Sequence, residues 1–168
     1  MKLRWWFGIA LNMILAALVV SGAVFYVVHF RGGFNAARSG RILEIRDSVS
    51  GRIYGRWSLE ETGEFAVEFV HSVNQSPVRE TFKADGKRIL PVSVRFYSFG
   101  AGMQSDLEEG QTLSRDGDAL VISGFSRSFP ELNYIVGTVS DHLLYISGET
   151  VSLRNLCGKN AHITMRIK

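Results

Sequence analysis

Two residues able to do acid–base chemistry stand close together in this sequence. They are His71 and Glu80, at the two ends of His71-Ser72-Val73-Asn74-Gln75-Ser76-Pro77-Val78-Arg79-Glu80. Phe65, Val67, Phe69 and His71 share one parity of an alternating run, so His71 continues its apolar face. Past a polar turn, Val78, Glu80 and Phe82 share a parity as well, so Glu80 faces inward with its neighbours. Antiparallel pairing that sets His71 opposite or diagonal to Glu80 brings the two within about 5–8 Å by Cβ. A buried carboxylate must be paired or protonated, and a histidine would supply the partner. Three readings stay open: a polar contact that fixes the hairpin, a ligand-binding or protein-binding site, and an acid–base pair.

The rest of the sequence narrows the chemistry. Ser72 follows His71 directly, and adjacent strand residues point to opposite faces, so a Ser–His dyad is not expected. There is no G-x-S-x-G elbow. His29, His71, His142 and His162 are scattered, without HxH, HExxH or paired cysteines, so no metal or other cofactor is expected. The lone Cys157 has no partner for an intrachain disulfide and reads as a small buried hydrophobe. A second candidate is Ser98-Phe99-Gly100-Ala101-Gly102, where two glycines allow a tight turn or a nest of free N–H groups. No helix signal follows it, so it reads as a turn or bulge at a sheet rim.

These residues need strands to hold them. Gly is frequent at 17 and Pro scarce at 3, a composition of short runs and turns. Period-two alternation marks Ile53–Leu59, Phe65–Phe69, Leu90–Phe96 and Ala161–Ile167. Turn signals fall at Ser50-Gly51, Thr62-Gly63, Asp85-Gly86, Asp116-Gly117 and Ser147-Gly148, with Asp85-Gly86 the clearest hairpin. No helical period is visible after residue 40, and residues 103–118 read as a polar loop. The expectation is an all-β body, an antiparallel barrel or sandwich of about eight to ten short strands.

A single N-terminal transmembrane helix is expected ahead of it. Trp5–Phe30 contains no charged residue, and as a helix its 26 residues span about 39 Å, enough to cross a hydrocarbon core of about 30 Å. A cleaved signal peptide ending near Ser21-Gly22-Ala23 competes, but the apolar run continues well past that point. The expected organisation is an anchor over 1–30, a glycine-rich linker over 31–40 and an extracytoplasmic body over 41–168. The anchor would contact membrane lipid through residues 5–30 as a single pass of the cytoplasmic membrane, with the body in the periplasm or outside the cell. The net charge of +3 belongs to this segment. Residues 1–43 hold Lys2, Arg4, Arg31, Arg38 and Arg41 and no acidic side chain, while the remaining 14 of 19 Lys and Arg stand against all 16 Asp and Glu. Without a basic face the body is not expected to bind nucleic acid.

The paired motifs, "HSV" with "SPVRE" at 71–80 and "SFGAG" at 98–102, resemble the bacterial domain of unknown function family 1850, as does the closing "GETVSL" with "ITMRI". The resemblance covers roughly residues 41–168 and maps onto His71, Ser72, Val73, Pro77, Val78, Glu80, Ser98, Gly100, Ala101 and Gly102. Ser76 and Met103-Gln104 depart from the family pattern. The resemblance implies a small, anchored, extracytoplasmic protein associated with TAXI-type tripartite periplasmic (TRAP) transporters. Its partner would be a transporter permease or its solute receptor; the protein is accordingly read as a non-catalytic accessory to a transporter. The residues themselves keep two other classes open, a small-ligand-binding barrel with a His71/Glu80 polar site and, least supported, a His/Glu hydrolase.

Overall fold

A computed structural model of the chain describes residues 40–99 and 106–168. The apolar run 5–30, all of the linker before Gly40, and Gly100, Ala101 and Gly102 lie outside the described residues.

The body is antiparallel, with eleven strands among the described residues: β1 Ile42–Asp47, β2 Ile53–Ser58, β3 Glu64–Val70, β4 Pro77–Asp85, β5 Arg88–Phe96, β6 Thr112–Asp116, β7 Ala119–Ser123, β8 Leu132–Ile135, β9 His142–Ile146, β10 Glu149–Ser152 and β11 His162–Ile167. They form two sheets, a four-stranded one in the order β2-β1-β11-β8 and a seven-stranded one in the order β10-β9-β3-β4-β5-β7-β6. One short helix, α1 (Leu153–Cys157), follows β10. Among the described residues no helix is long and apolar enough to cross a membrane.

Alternation builds the interior. Leu43 and Ile45 of β1, Val67 of β3, Leu144 of β9 and Ile163 and Met165 of β11 are fully buried in the main core. Each such side chain removed from water contributes about 1.5–3 kcal/mol before entropy is counted. A smaller cluster of Val78, Phe96 and Ile122, packed by Phe69, Val94, Leu120 and Phe125, lies toward the β5-β7 side.

Two bulges change the parity that the sequence implies. A register shift between Ile45 and Arg46 sets Ile53 opposite Arg46, so Ile53 is exposed while Tyr54 packs on the core. A second shift between Thr81 and Phe82 inserts an extra residue in β5, which makes Ile89 the fully buried residue in place of Leu90. An inserted residue reverses every face beyond it.

Four of the expected turns close hairpins, and Thr62-Gly63 instead carries the chain from β2 to β3 in the other sheet. Gly86 (φ 59°) opens the two-residue turn of β4–β5, and Gly117 does the same for β6–β7. The region read as a polar loop is corrected here, because Thr112–Asp116 is β6, an edge strand exposed at every position. A strand with no buried face carries no apolar alternation to read. α1 is likewise too short to show a helical period.

Candidate functional site

Glu80 faces inward, as its parity requires, but its partner is not His71. The β3–β4 register sets Glu80 opposite Val67 and Val78 opposite Phe69. Beyond the ladder, His71 N–H donates to the Ser76 carbonyl at 2.9 Å, which closes the turn tightly and leaves His71 several residues along the strand from Glu80. His71 Nδ1 instead accepts the backbone N–H groups of Val73 and Asn74, each at 3.3 Å. It caps its own turn.

Glu80 sits in the middle of an apolar row across the large sheet, running Leu144, Val67, Glu80, Val94 and Ile122. Its partner arrives from the other sheet. Tyr134 of β8 donates its hydroxyl to Glu80 Oε2 at 2.6 Å. Among the described residues that is the one hydrogen bond Glu80 accepts, and Oε1 takes none. Burial pushes the Glu80 carboxyl above its ordinary 4.5, against the opposing pull of the Tyr134 hydrogen bond. Burial and the Glu80 charge push the Tyr134 phenol well above 10.

The histidine that joins this region is His142, paired with Phe69 across β3–β9 and stacked on its ring at 5.0 Å. Its ring meets that of Tyr134 edge-on at 6.1 Å. Gly137 N–H donates to His142 Nδ1 at 3.1 Å, which leaves the proton of the neutral ring on Nε2. Burial holds its pKa below 6.5, with Asp141 raising and Arg154 lowering it. Arg154 donates to the Gly137 carbonyl at 3.2 Å, while its buried Nε has no partner among the described residues. Asp141 accepts from Ser152 Oγ at 2.5 Å and from the Arg154 N–H at 3.0 Å, tying α1 to the same corner. The interior thus holds a carboxyl, a phenol and an imidazole side by side, linked through Gly137 to an arginine.

The remaining motif residues fall elsewhere. Val78 is core, and Pro77 is exposed opposite Val70. Ser72 and Val73 are exposed in the turn, where Ser72 gives its carbonyl to Gln75 Nε2 at 2.5 Å. Asn74 Nδ2 donates to the Ser98 carbonyl at 3.0 Å, so the two sequence motifs meet at one rim. Phe99 sets its half-exposed ring edge-on against Phe96 at 5.2 Å. Among the described residues no cluster of His, Cys, Asp and Glu could hold a metal ion. Cys157 is partly buried against the core, and burial, then the Asp47 charge, pushes its thiol up to about 11.

Sequence reasoning missed Tyr134 and His142. The only local signal for Tyr134 is its shared parity with Leu132 in a four-residue strand. It also missed Glu44 of β1, fully buried on the outer face of the small sheet beneath Arg46, Arg56 and Lys168.

Fold and site together define an antiparallel two-sheet β domain with a polar network inside it. The family model described as "Domain of unknown function (DUF1850)" matches residues 65–153, more than half of the chain, and the protein belongs to that family. The matched span contains Glu80, Tyr134 and His142; Glu44 lies before it. No curated protein and no solved structure matches the chain.

Proposed function

We propose that this protein is a non-catalytic binding domain whose β-sandwich takes a small molecule at Glu80. The observation that carries the reading is Glu80 itself, a carboxyl in an apolar row with a raised pKa, one hydrogen bond from Tyr134 and a second oxygen left without one. Such a group costs stability where it stands. A ligand that brings a hydrogen-bonding group to Oε1, such as the carboxyl of a small acid, offsets that cost. Phe69 and Val94 supply apolar contact beside it. No acid–base step is assigned, because His71 serves its turn and His142 Nδ1 is held by a backbone N–H.

Native mass spectrometry of the full chain in detergent tests this. Wild type should carry a small-molecule adduct that Glu80→Gln loses while remaining folded. Equal adducts in both proteins, or none in wild type, would overturn the reading.

A second reading adds a location and a partner. The uncharged run Trp5–Phe30 favours an anchor in the cytoplasmic membrane, with the body outside the cytoplasm. The family association with TAXI-type tripartite transporters then favours a permease or its solute receptor as the partner. Pull-down of tagged protein from detergent should recover a membrane partner above background, and recovery of none sinks this reading.

A further inference from the structure

We propose a second ligand site, on the outer face of the seven-stranded sheet: an oxyanion cradle built on Arg79 and Arg95. These arginines are direct partners across β4–β5. Like charges set directly opposite one another repel. The two guanidinium groups accordingly turn apart. Arg79 lies over the Tyr145 ring at 4.1 Å and stands 3.6 Å from Glu68, while Arg95 pairs with Asp116. Between them runs a groove of about 690 Å³ lined also by Thr81, Ser93 and Tyr97 and by the carboxylates of Glu68 and Asp116.

The arginines are the groove's recognition groups for an oxyanion, which must compete there with Glu68 and Asp116. A guanidinium offers five N–H donors in a planar fork that matches carboxylate and phosphate. Among the described residues Arg79 makes no hydrogen bond with any of its five, and its 3.6 Å approach to Glu68 is an ion pair, too long for a hydrogen bond. Beside the arginines runs a row of short hydroxyl side chains, Thr81, Ser93, Ser123 and Thr112, paired strand to strand across β4, β5, β7 and β6. Of these, Thr81 and Ser93 line the groove, where their hydroxyls add donors that rotate to suit a ligand, while Thr112 and Ser123 bond to each other at 3.1 Å. An anion placed there screens the repulsion between the two arginines and draws both heads inward. Asp116 is exposed and already occupies Arg95, so it acts as a built-in competitor for the incoming anion.

The site is on the opposite face of the sheet from Glu80 and stands independently of it, since adjacent residues of β4 point to opposite sides. The test is a titration of the full chain in detergent with citrate and, separately, with inorganic phosphate, read from the arginine Nε–Hε signals by NMR. Either anion should shift the Arg79 and Arg95 signals. Response to citrate alone marks a carboxylate site, and response to phosphate alone a phosphate site. Arg79→Gln and Arg95→Gln should each weaken binding about tenfold, equivalent to about 1.4 kcal/mol. Arg88→Gln, on the same strand but bonded to Ser128, should leave it unchanged. Asp116→Asn should tighten binding several-fold by releasing Arg95. The proposal is overturned if neither anion moves these signals up to about 10 mM, if both arginine variants bind like wild type, or if Asp116→Asn weakens binding.

Discussion

Glu44 and Glu80 are both glutamates on sheet faces, and their surroundings treat them in opposite ways. Glu44 is completely enclosed, yet it is enclosed by cations. Arg46 pairs with it, Arg56 donates to its Oε2 at 2.8 Å, and Lys168 stands 3.5 Å away. Burial alone would raise its pKa, but the hydrogen bonds from Arg46 and Arg56 and the charges of Arg46 and Lys168 outweigh it and bring it to about 2. Glu80 is less enclosed, but what surrounds it is apolar, and the one group reaching it is a neutral phenol. Its pKa moves up. Burial pushes both carboxyls up; the cations around Glu44 outweigh it, and the single hydrogen bond from Tyr134 to Glu80 does not. Glu44 ties β1 to β2 and to the chain just after β11 with its charge. Glu80 makes one neutral hydrogen bond to the facing sheet and no ion pair among the described residues, which is why a binding role is proposed for it.

The comparison can be broken by substitution, and Glu44→Gln should show the largest effect. It removes the charge that three cations share and should cost about 2–3 kcal/mol by urea unfolding at pH 7. Tyr134→Phe comes next, at about 1–1.5 kcal/mol, because it leaves Glu80 Oε2 without a donor. His71→Ala should cost less, about 0.5–1 kcal/mol, since it removes a cap on two long backbone hydrogen bonds. A drop as large as that of Glu44→Gln would restore His71 to a central place.

The pH dependence sharpens the same contrast with opposite signs. The stabilisation from Glu44 is fully present above its unfolded value near 4.5 and is lost as pH falls toward about 2. For Glu80 the folded state holds its proton more tightly than the unfolded chain. That contribution is full below about 4.5 and is lost as pH rises through the raised folded value. Denaturant midpoints followed against pH should therefore show wild type and Glu80→Gln converging below pH 4.5 and separating above it, with the Gln variant the more stable. For Glu44→Gln the gap to wild type should close only at the acid end.

Much of this fold could be read from alternation. The faces of β3, β4 and β11 follow from Phe65–Phe69, Val78–Phe82 and Ile163–Ile167, and the inward direction of Glu80 follows with them. The hairpin glycines also stand where the turns need them. Alternation could not give the register, because the tight closure of His71 on Ser76 is a property of the turn and shifts the whole ladder. Nor could it give the bulges that move Ile53 out and Ile89 in. The partner of Glu80 was out of reach for another reason. Tyr134 is 54 residues away and belongs to the facing sheet, so only the packing of the two sheets brings them together.

The unfolding midpoint of Glu80→Gln in the full chain at pH 7 bears most directly on whether Glu80 is held for binding. A neutral amide of the same shape keeps the Tyr134 hydrogen bond and removes the burden of a carboxylate in an apolar row. The account predicts a midpoint equal to or above that of wild type. A loss approaching that of Glu44→Gln would contradict it and make Glu80 a structural contact.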